Sequence, residues 1–143
     1  MVKKVKFDVL NWDEKDLHNA SPVITAKIDM FTVTLLIDTG ASISFIDEKF
    51  VKKHTYLKHM VTKCTDGGYN LEKHTEANIT SKELVTKNFK FGRALFEHRF
   101  VLAKLDGGDV SGDRGYDAII GFDFLKKYKM CIDFHTQVIT FHI

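Results

Sequence analysis

Short runs of alternating apolar and polar residues recur along the chain, a pattern that half-buried β-strands produce. The first predicted strand lies near the N-terminus, where Val5, Phe7 and Val9 fall on one face. A β-branched run over 23–28 follows the single proline, and a second run over 32–37 ends in three consecutive apolar residues. Because both faces of that end are apolar, we expect it to be buried on both sides.

The middle of the chain carries the signals of one helix and of hairpins. Residues 43–46 alternate as a strand, and Asp47 can cap a short helix over 48–53, with an acid in its first turn and lysines in its last. Asp66-Gly67-Gly68 lies between extended segments and predicts a hairpin turn, since glycine tolerates positive φ. Residues 84–105 predict two further strands.

The C-terminal third contains an apolar run over 118–120, a predicted helix over 123–128 and a hairpin formed by 131–134 and 138–141. Many short strands separated by turn signals are typical of an all-β domain. The sequence therefore predicts a closed β barrel or sandwich with one or two short helices.

The composition indicates one soluble globular domain. The chain has 143 residues, of which 44% are hydrophobic and 28% charged. Its formal charge of +2 is too small to indicate nucleic-acid binding, since acidic and basic residues are interspersed. The sequence has no apolar stretch suited to a signal peptide or a membrane span. We therefore expect an intracellular protein that binds neither nucleic acid nor membrane.

The spacing of potential metal ligands indicates no metal site. Cys64 and Cys131 lack ligand spacing and are interpreted as free thiols in a reducing compartment. The acids within 106–113 are spaced loosely like a calcium loop but lack its closing glutamate. The seven histidines are scattered and are interpreted as surface or core-edge residues. No metal and no cofactor is predicted.

A carboxylate follows directly on the apolar end of the 32–37 run, in the triplet Asp38-Thr39-Gly40. A carboxylate at the end of a buried strand is costly unless hydrogen bonds satisfy it. Thr39 can supply a hydroxyl and Gly40 an unobstructed N–H, and glycine also lets a substrate backbone approach. Such a triplet should occur by chance in roughly one chain of this length in twenty, so an ordinary strand-end turn is the alternative.

A second motif gives the triplet its context. About eighty residues later, Ile119-Ile120-Gly121 leads into the predicted helix, within the stretch Tyr116 to Tyr128 and before Cys131-Ile132-Asp133. With both motifs, the chain resembles the retropepsins, the aspartic proteases of retroviruses and LTR retrotransposons, and is most similar to the gypsy-type branch. The resemblance covers roughly residues 22–143 and is least specific over 56–105.

The resemblance implies a retropepsin-like closed β fold that is active as a symmetric homodimer, with one Asp-Thr-Gly loop from each subunit. The single triplet in this chain agrees with that, because a two-lobed monomer would need a second one. Asp38 would be the catalytic residue, two copies of it sharing one proton and activating a water. Thr39 and Gly40 would support the loop, and Gly40, Ala41 and Ser42 would contact the substrate.

The hairpin predicted at Asp66, Gly67 and Gly68 lies where the family has its flap, a mobile lid over the substrate. Two adjacent glycines suit a tip that opens and closes, and these three residues are therefore predicted to bind substrate. A plain surface hairpin is the alternative.

Two positions depart from the retroviral pattern. Many retroviral members have an arginine directly after the apolar-apolar-glycine motif, and some have an aspartate at the fifth loop position that would pair with it. This chain has Phe122, followed by Asp123, at the first place and Ser42 at the second. The two departures together leave no unpaired charge, so the pattern is self-consistent.

We divide the chain into an N-terminal extension or extra strand, 1–20, and a protease domain, 21–143. In retropepsins the chain termini interleave into a sheet that joins the subunits. The strand predicted at the C-terminus has one apolar face, and such a strand needs a pairing partner to avoid aggregation. Its partner is either the second subunit or Val5-Phe7-Val9 of the same chain, and the sequence does not choose between them.

The function predicted from the resemblance is an aspartic endopeptidase that processes a Gag-Pol-type polyprotein, in the cytoplasm or within virus-like particles. One alternative is a cellular retropepsin-like domain of the DNA-damage-inducible type. A second is a domesticated, non-catalytic dimerisation or binding domain, although a decayed site would have no reason to retain Thr39.

Overall fold

The structure, a computed structural model, describes residues 2–11, 20–64, 68–70, 75–77, 81–91, 94–105 and 115–142. Strands dominate this part of the chain, as the alternating sequence predicted. The helices are α1 Glu48–Lys53, the 3-10 helix Thr55–Met60 and α2 Phe122–Lys127. The strands are β1 Val2–Lys6, β2 Asp8–Asn11, β3 Ala20–Ile28, β4 Phe31–Ile37, β5 Phe45–Asp47, β6 Val61–Cys64, β7 Gly68–Asn70, β8 Thr75–Ala77, β9 Ser81–Phe91, β10 Ala94–Ala103, β11 Ala118–Ile120, β12 Cys131–Asp133 and β13 Val138–His142.

Six of these strands close into a barrel. Hydrogen bonds join β3, β4, β11, β5, β10 and β9 in that order, and β9 returns to β3 where Ile28 faces Phe89. Closure removes the free edges that would otherwise invite association with other chains. The predicted all-β class and closed barrel are confirmed.

Phenylalanine rings form the centre of the hydrophobic core. Phe89 and Phe91 come from β9, Phe96 from β10, Phe124 from α2 and Phe141 from β13, and all five are fully buried. Neighbouring ring centroids lie 4.6 to 6.5 Å apart, mostly in edge-to-face geometry, which aromatic quadrupoles favour. The core thus ties α2 and the C-terminal strand to the barrel wall.

Strict alternation along β10 decides which of its side chains enter the core. Phe96, His98 and Phe100 are buried, whereas Glu97 and Arg99 between them are exposed. The period of two in a strand requires this arrangement. A histidine is therefore placed among aromatic rings inside the domain.

The chain's own N-terminal strand covers one edge of its C-terminal strand. β13 lies between β1 and β12 in a three-stranded sheet, with Val5 opposite Ile139 and Ile132 on the other side of Ile139. Val5 packs against the main core, and Phe7, just after β1, is buried within it. Of the two partners that the sequence left open for β13, the structure has the strand of the same chain.

The sequence predicted a hairpin turn at Asp66-Gly67-Gly68, but the structure pairs the flanking strands differently. β6 pairs with β9 and β7 pairs with β8, so that Val61 faces Leu84 and Asn70 faces Thr75. Both ladders share one register, and the β7–β8 connection is residues 71–74. The predicted turn was therefore wrong: Gly68 is the first residue of a strand, and Asp66 and Gly67 lie outside the described residues.

Both predicted helices form. Asp47 caps α1 by accepting a hydrogen bond from the Lys49 N–H at 3.2 Å, as its sequence predicted. α2 begins at Phe122, one residue before the predicted start, whereas the 3-10 helix Thr55–Met60 was not predicted. No helix in the described part of the chain combines the length and apolarity that a membrane span needs.

Candidate active site

Asp38 follows directly on the buried end of β4. Its backbone N–H donates to the Ile120 carbonyl at 2.9 Å, which fixes the start of the turn to the end of β11. The Gly40 N–H donates to Asp38 Oδ1 at 2.9 Å, the contact that the turn sequence predicted for this glycine. Asp38 is half-buried, whereas Thr39 and Gly40 are exposed. The turn thus holds an oriented carboxylate at the surface.

The strand β11 brings the second sequence motif beside the triplet. It runs parallel to β4, with Ile120 opposite Ile37, and antiparallel to β5, with Ile119 opposite Phe45. The segment between β4 and β5 therefore loops around the end of β11. The two motifs, about eighty residues apart in the sequence, form one site.

Backbone hydrogen bonds clamp that loop to the start of α2. The Phe122 N–H donates to the Ala41 carbonyl at 2.7 Å, and the Asp123 N–H donates to the Ser42 carbonyl at 3.2 Å. A Cβ at Gly121 would lie 2.3 Å from the Ile43 carbonyl oxygen, so any side chain there would displace the loop. The glycine of the second motif is required by this close approach.

Three polar side chains meet behind the loop, and the sequence did not identify them as a group. Ser44 Oγ donates to Asp123 Oδ1 at 2.7 Å, and His98 Nε2 lies 2.9 Å from Ser44 Oγ and 3.3 Å from Asp123 Oδ2. Ser44 is 1% and His98 8% exposed. The interpretation of the histidines as surface or core-edge residues was wrong for His98, which the alternation with Phe96 and Phe100 could have revealed.

Asp123 is the charged member of this group. Burial raises the pKa of its carboxyl, but hydrogen bonds from His98 and Ser44, electrostatic attraction to the His98 ring and the Phe124 N–H together hold the pKa below its usual 3.8. The carboxylate also accepts a hydrogen bond from the Ser44 N–H at 3.1 Å. It is therefore ionised at neutral pH and serves as the common acceptor that links α2 to the loop.

The remaining predicted site residues lie as follows. Ala41 is half-buried and Ser42 exposed, both on the loop between the triplet and β5. Asp66, Gly67 and the acidic loop 106–113 lie outside the described residues. Cys131 is a free, exposed cysteine.

An open groove of about 420 Å³ lies beside the triplet. Thr39 borders it, and the other lining residues come from α2 and the segment that follows. Phe122 is 51% exposed there and contributes apolar surface to the groove. The lining residues are Thr39, Phe122, Leu125, Lys126, Lys129, Met130 and Ile132.

Comparison with known proteins gives matches at the level of structure. No protein-family model and no curated protein matches the sequence. The structure is similar to a retropepsin-like aspartic protease from Rickettsia conorii, with a TM-score of 0.55 and 13% identity over 99% of this chain and 91% of that one. It is also similar to the retroviral protease-like domain of Ddi1 from Leishmania major, with a TM-score of 0.53 and 16% identity over 80% and 82%. The chain therefore has the fold of the retropepsin-like aspartic proteases.

Proposed function

We propose that this chain is one subunit of a homodimeric aspartic endopeptidase in which Asp38 is the catalytic carboxylate. The observation that carries this proposal is the half-buried Asp38 carboxylate, held by the Gly40 N–H at 2.9 Å on a turn joined to Ile120. The turn occurs in a fold shared with retropepsin-like aspartic proteases. An ordinary strand-end aspartate would need neither the second motif nor its clamp on the loop.

The chemistry follows from bringing two Asp38 carboxylates together. Two such groups in close contact cannot both ionise cheaply, so one proton is shared between them, as in aspartic proteases generally. The ionised carboxylate takes a proton from a water, which attacks the peptide carbonyl carbon. The protonated carboxyl donates a hydrogen bond to the carbonyl oxygen. The C–N bond then breaks as the amine nitrogen receives a proton from the pair.

The homodimer is part of the proposal because the chain has one Asp-Thr-Gly triplet. We infer that the groove beside Thr39 faces the second subunit. Its rim carries the exposed Phe122, and Met130 and Ile132 add apolar surface. Burying this surface would stabilise a symmetric interface that places two Asp38 turns next to each other.

The substrate we propose is a polyprotein of Gag-Pol type, with a gypsy-like element as the source and the cytoplasm or virus-like particles as the compartment. The Phe122-Asp123 pair after the second motif supports this branch. The likeness to the Leishmania Ddi1 domain favours one alternative, a cellular retropepsin-like domain that acts on other proteins.

Incubation with a peptide library, with and without pepstatin, tests the proposal. We expect pepstatin-sensitive internal cleavage by the wild-type protein and none by Asp38→Asn, which should remain folded because the hydrogen bond that its carboxylate accepts from Gly40 is local to the turn. Cleavage by Asp38→Asn at the wild-type rate would overturn the assignment. Absence of cleavage by the folded wild-type protein would instead favour a non-catalytic binding domain.

A further inference from the structure

The cluster of Ser44, His98 and Asp123 joins three separate elements behind the Asp38 turn. Ser44 precedes β5, His98 lies in β10 and Asp123 lies in the first turn of α2. The Ser44 carbonyl also accepts a hydrogen bond from the Val101 N–H at 3.0 Å, so β10 contacts this point through backbone and side chain. Three polar side chains are buried in the described part of the chain: Ser44, Thr86 and His98. Two of them, Ser44 and His98, belong to this cluster.

The hydrogen positions in the cluster follow from counting donors. The single hydroxyl hydrogen of Ser44 is directed to Asp123 Oδ1 at 2.7 Å, and its oxygen accepts from the Gly121 N–H at 3.0 Å. Ser44 therefore has no hydrogen left for the imidazole. His98 Nε2 must carry a hydrogen, shared between Ser44 Oγ at 2.9 Å and Asp123 Oδ2 at 3.3 Å. Both the neutral Nε2–H tautomer and the imidazolium supply it.

This arrangement is not a second hydrolytic centre. In a nucleophilic triad the serine and the aspartate bind opposite nitrogens of the histidine. Here Ser44 and Asp123 both bind Nε2, and Ser44 is only 1% exposed. The cluster is a structural connection rather than a source of a nucleophile.

The cluster reaches the catalytic turn through short links. Ser44 Oγ accepts a hydrogen bond from the Gly121 N–H. The next two N–H groups, those of Phe122 and Asp123, donate to the carbonyls of Ala41 and Ser42. Immediately before Gly121, the Ile120 carbonyl accepts a hydrogen bond from the Asp38 N–H at 2.9 Å. The orientation of Asp38 therefore depends on where Ser44 and Asp123 are held.

We propose that His98 is a positioning residue for the Asp38 turn, acting as the hydrogen-bond donor that locks Ser44 and Asp123 together. Asp123, from α2, is the charged group that contacts the imidazole among the described residues. Three uncharged residues also adjoin it: Phe100 and Phe124 meet the ring edge to face, and Thr86 lies opposite on β9. The His98 donor is costly to lose, since one of its acceptors, Ser44 Oγ, belongs to a residue that is 1% exposed and cannot find water in exchange. The proposal rests on the proposed function only for its catalytic consequence.

Hydrogen exchange of backbone amides tests the positioning itself, without reference to activity. We compare His98→Leu, which removes the donor, with His98→Gln, whose amide can donate from about the place of Nε2. Thr86→Val is the matched control, because it removes a buried polar group directly opposite His98 that is bonded to the Asn88 N–H and not to the loop. We expect exchange at Gly40, Ala41 and Gly121 to rise about tenfold or more in His98→Leu and to stay near wild type in His98→Gln and Thr86→Val.

The β1–β13 amides provide the internal reference in each variant. An equal rise there would mean general destabilisation, and it would overturn the proposal, as would unchanged exchange in the loop. If His98→Leu does not fold, His98→Gln decides alone: loop exchange at the Thr86→Val level supports the donor role, and exchange raised only in the loop overturns it.

Peptide cleavage supplies the second arm. We expect kcat of His98→Leu to fall about tenfold or more, measured per folded dimer, with KM changed less than about threefold, and His98→Gln to restore most of kcat. A rise in KM with kcat unchanged would contradict the positioning role. Failure of the wild-type protein to cleave any peptide would count against the proposed function, while the exchange experiment would still decide the role of His98.

Discussion

Gly121 shows how one missing side chain shapes the candidate active site. A Cβ there would lie 2.3 Å from the Ile43 carbonyl oxygen and 2.8 Å from that of Ala41, and backbone atoms cannot move aside without displacing the loop. We expect Gly121→Ala to lower the free energy of unfolding by about 1–3 kcal/mol and to abolish most cleavage. Urea unfolding and peptide assays measure the two effects. Ser42→Ala, an exposed change in the same loop, is the control, and a Gly121→Ala protein as stable as that control would contradict the packing argument.

Asp123 makes part of the stability of the domain depend on pH. Because its folded pKa lies below 3.8, it contributes stability above the unfolded pKa, and that contribution is lost as pH falls through the folded pKa. The stability difference between wild type and Asp123→Asn should therefore be larger at pH 6 than at pH 3. Urea unfolding at the two pH values measures it, with the exposed Asp8→Asn as control. An equal difference at both values would contradict the linkage.

Residue-scale prediction from sequence succeeded where the chemistry is local. The Gly40 N–H lies two residues from the carboxylate it binds, so the turn sequence was enough to predict the contact. The Ser44–His98 contact spans 54 positions and joins different elements. No local pattern encodes such a contact, because it depends on which strand of the barrel becomes the neighbour.

At the scale of elements, the hairpin β6–β9 shows a turn signal overruled by strand register. Adjacent glycines favour a turn, but β6 pairs with β9 and β7 pairs with β8, so the chain reverses between β7 and β8 rather than at Asp66-Gly67-Gly68. Pairing of β7 with β8 satisfies backbone groups that a turn at Gly68 would leave without a strand partner. The strands β3, β4, β9 and β10 were predictable, since their alternation or apolar ends specify burial directly.

The same hairpin is the candidate flap, and ligand binding tests that role. If it closes over substrate, an active-site-directed inhibitor should slow amide exchange across the paired residues 68–70 and 75–77. The β1–β13 pair serves as reference, because its amides lie in a different sheet. Equal exchange with and without bound inhibitor would contradict a lid function for this hairpin.

The first strand provides a second test at this scale, since β1 covers an edge of β13. Removing residues 1–6 would leave that edge and the apolar Ile139 and Phe141 without their neighbour. We expect the truncated protein to lose more than about 1 kcal/mol of stability and to aggregate more readily. Val2→Ser, an exposed change that keeps the backbone pairing, is the control. Unchanged stability after truncation would identify these residues as a dispensable extension.

At the scale of the whole molecule, the proposed function requires the fold to supply half of a catalytic centre. A closed barrel, a clamped turn and one carboxylate can all be formed by a single chain, whereas the shared proton requires a second Asp38. In the proposed homodimer, the exposed Phe122 beside Thr39 would face that second chain. The number of Asp-Thr-Gly triplets per chain is visible in the sequence, but a surface on which two chains could dock depends on which apolar side chains the fold leaves exposed.

Mixing of wild-type and Asp38→Asn subunits distinguishes a shared site from a site complete in one chain. At equal amounts and constant total concentration, random pairing leaves roughly a quarter of the dimers with two carboxylates, so activity should fall to about a quarter. A site complete within one subunit would retain about half. The matched control mixes wild type with the double mutant Asp38→Asn/Phe122→Asp. A charge in the apolar groove should prevent the double mutant from pairing, so the wild-type subunits pair only with each other and about half of the activity remains. Retention of about half in the first mixture would rule out the two-subunit mechanism, and sedimentation of both mixtures shows whether the first is fully dimeric and the double mutant stays monomeric.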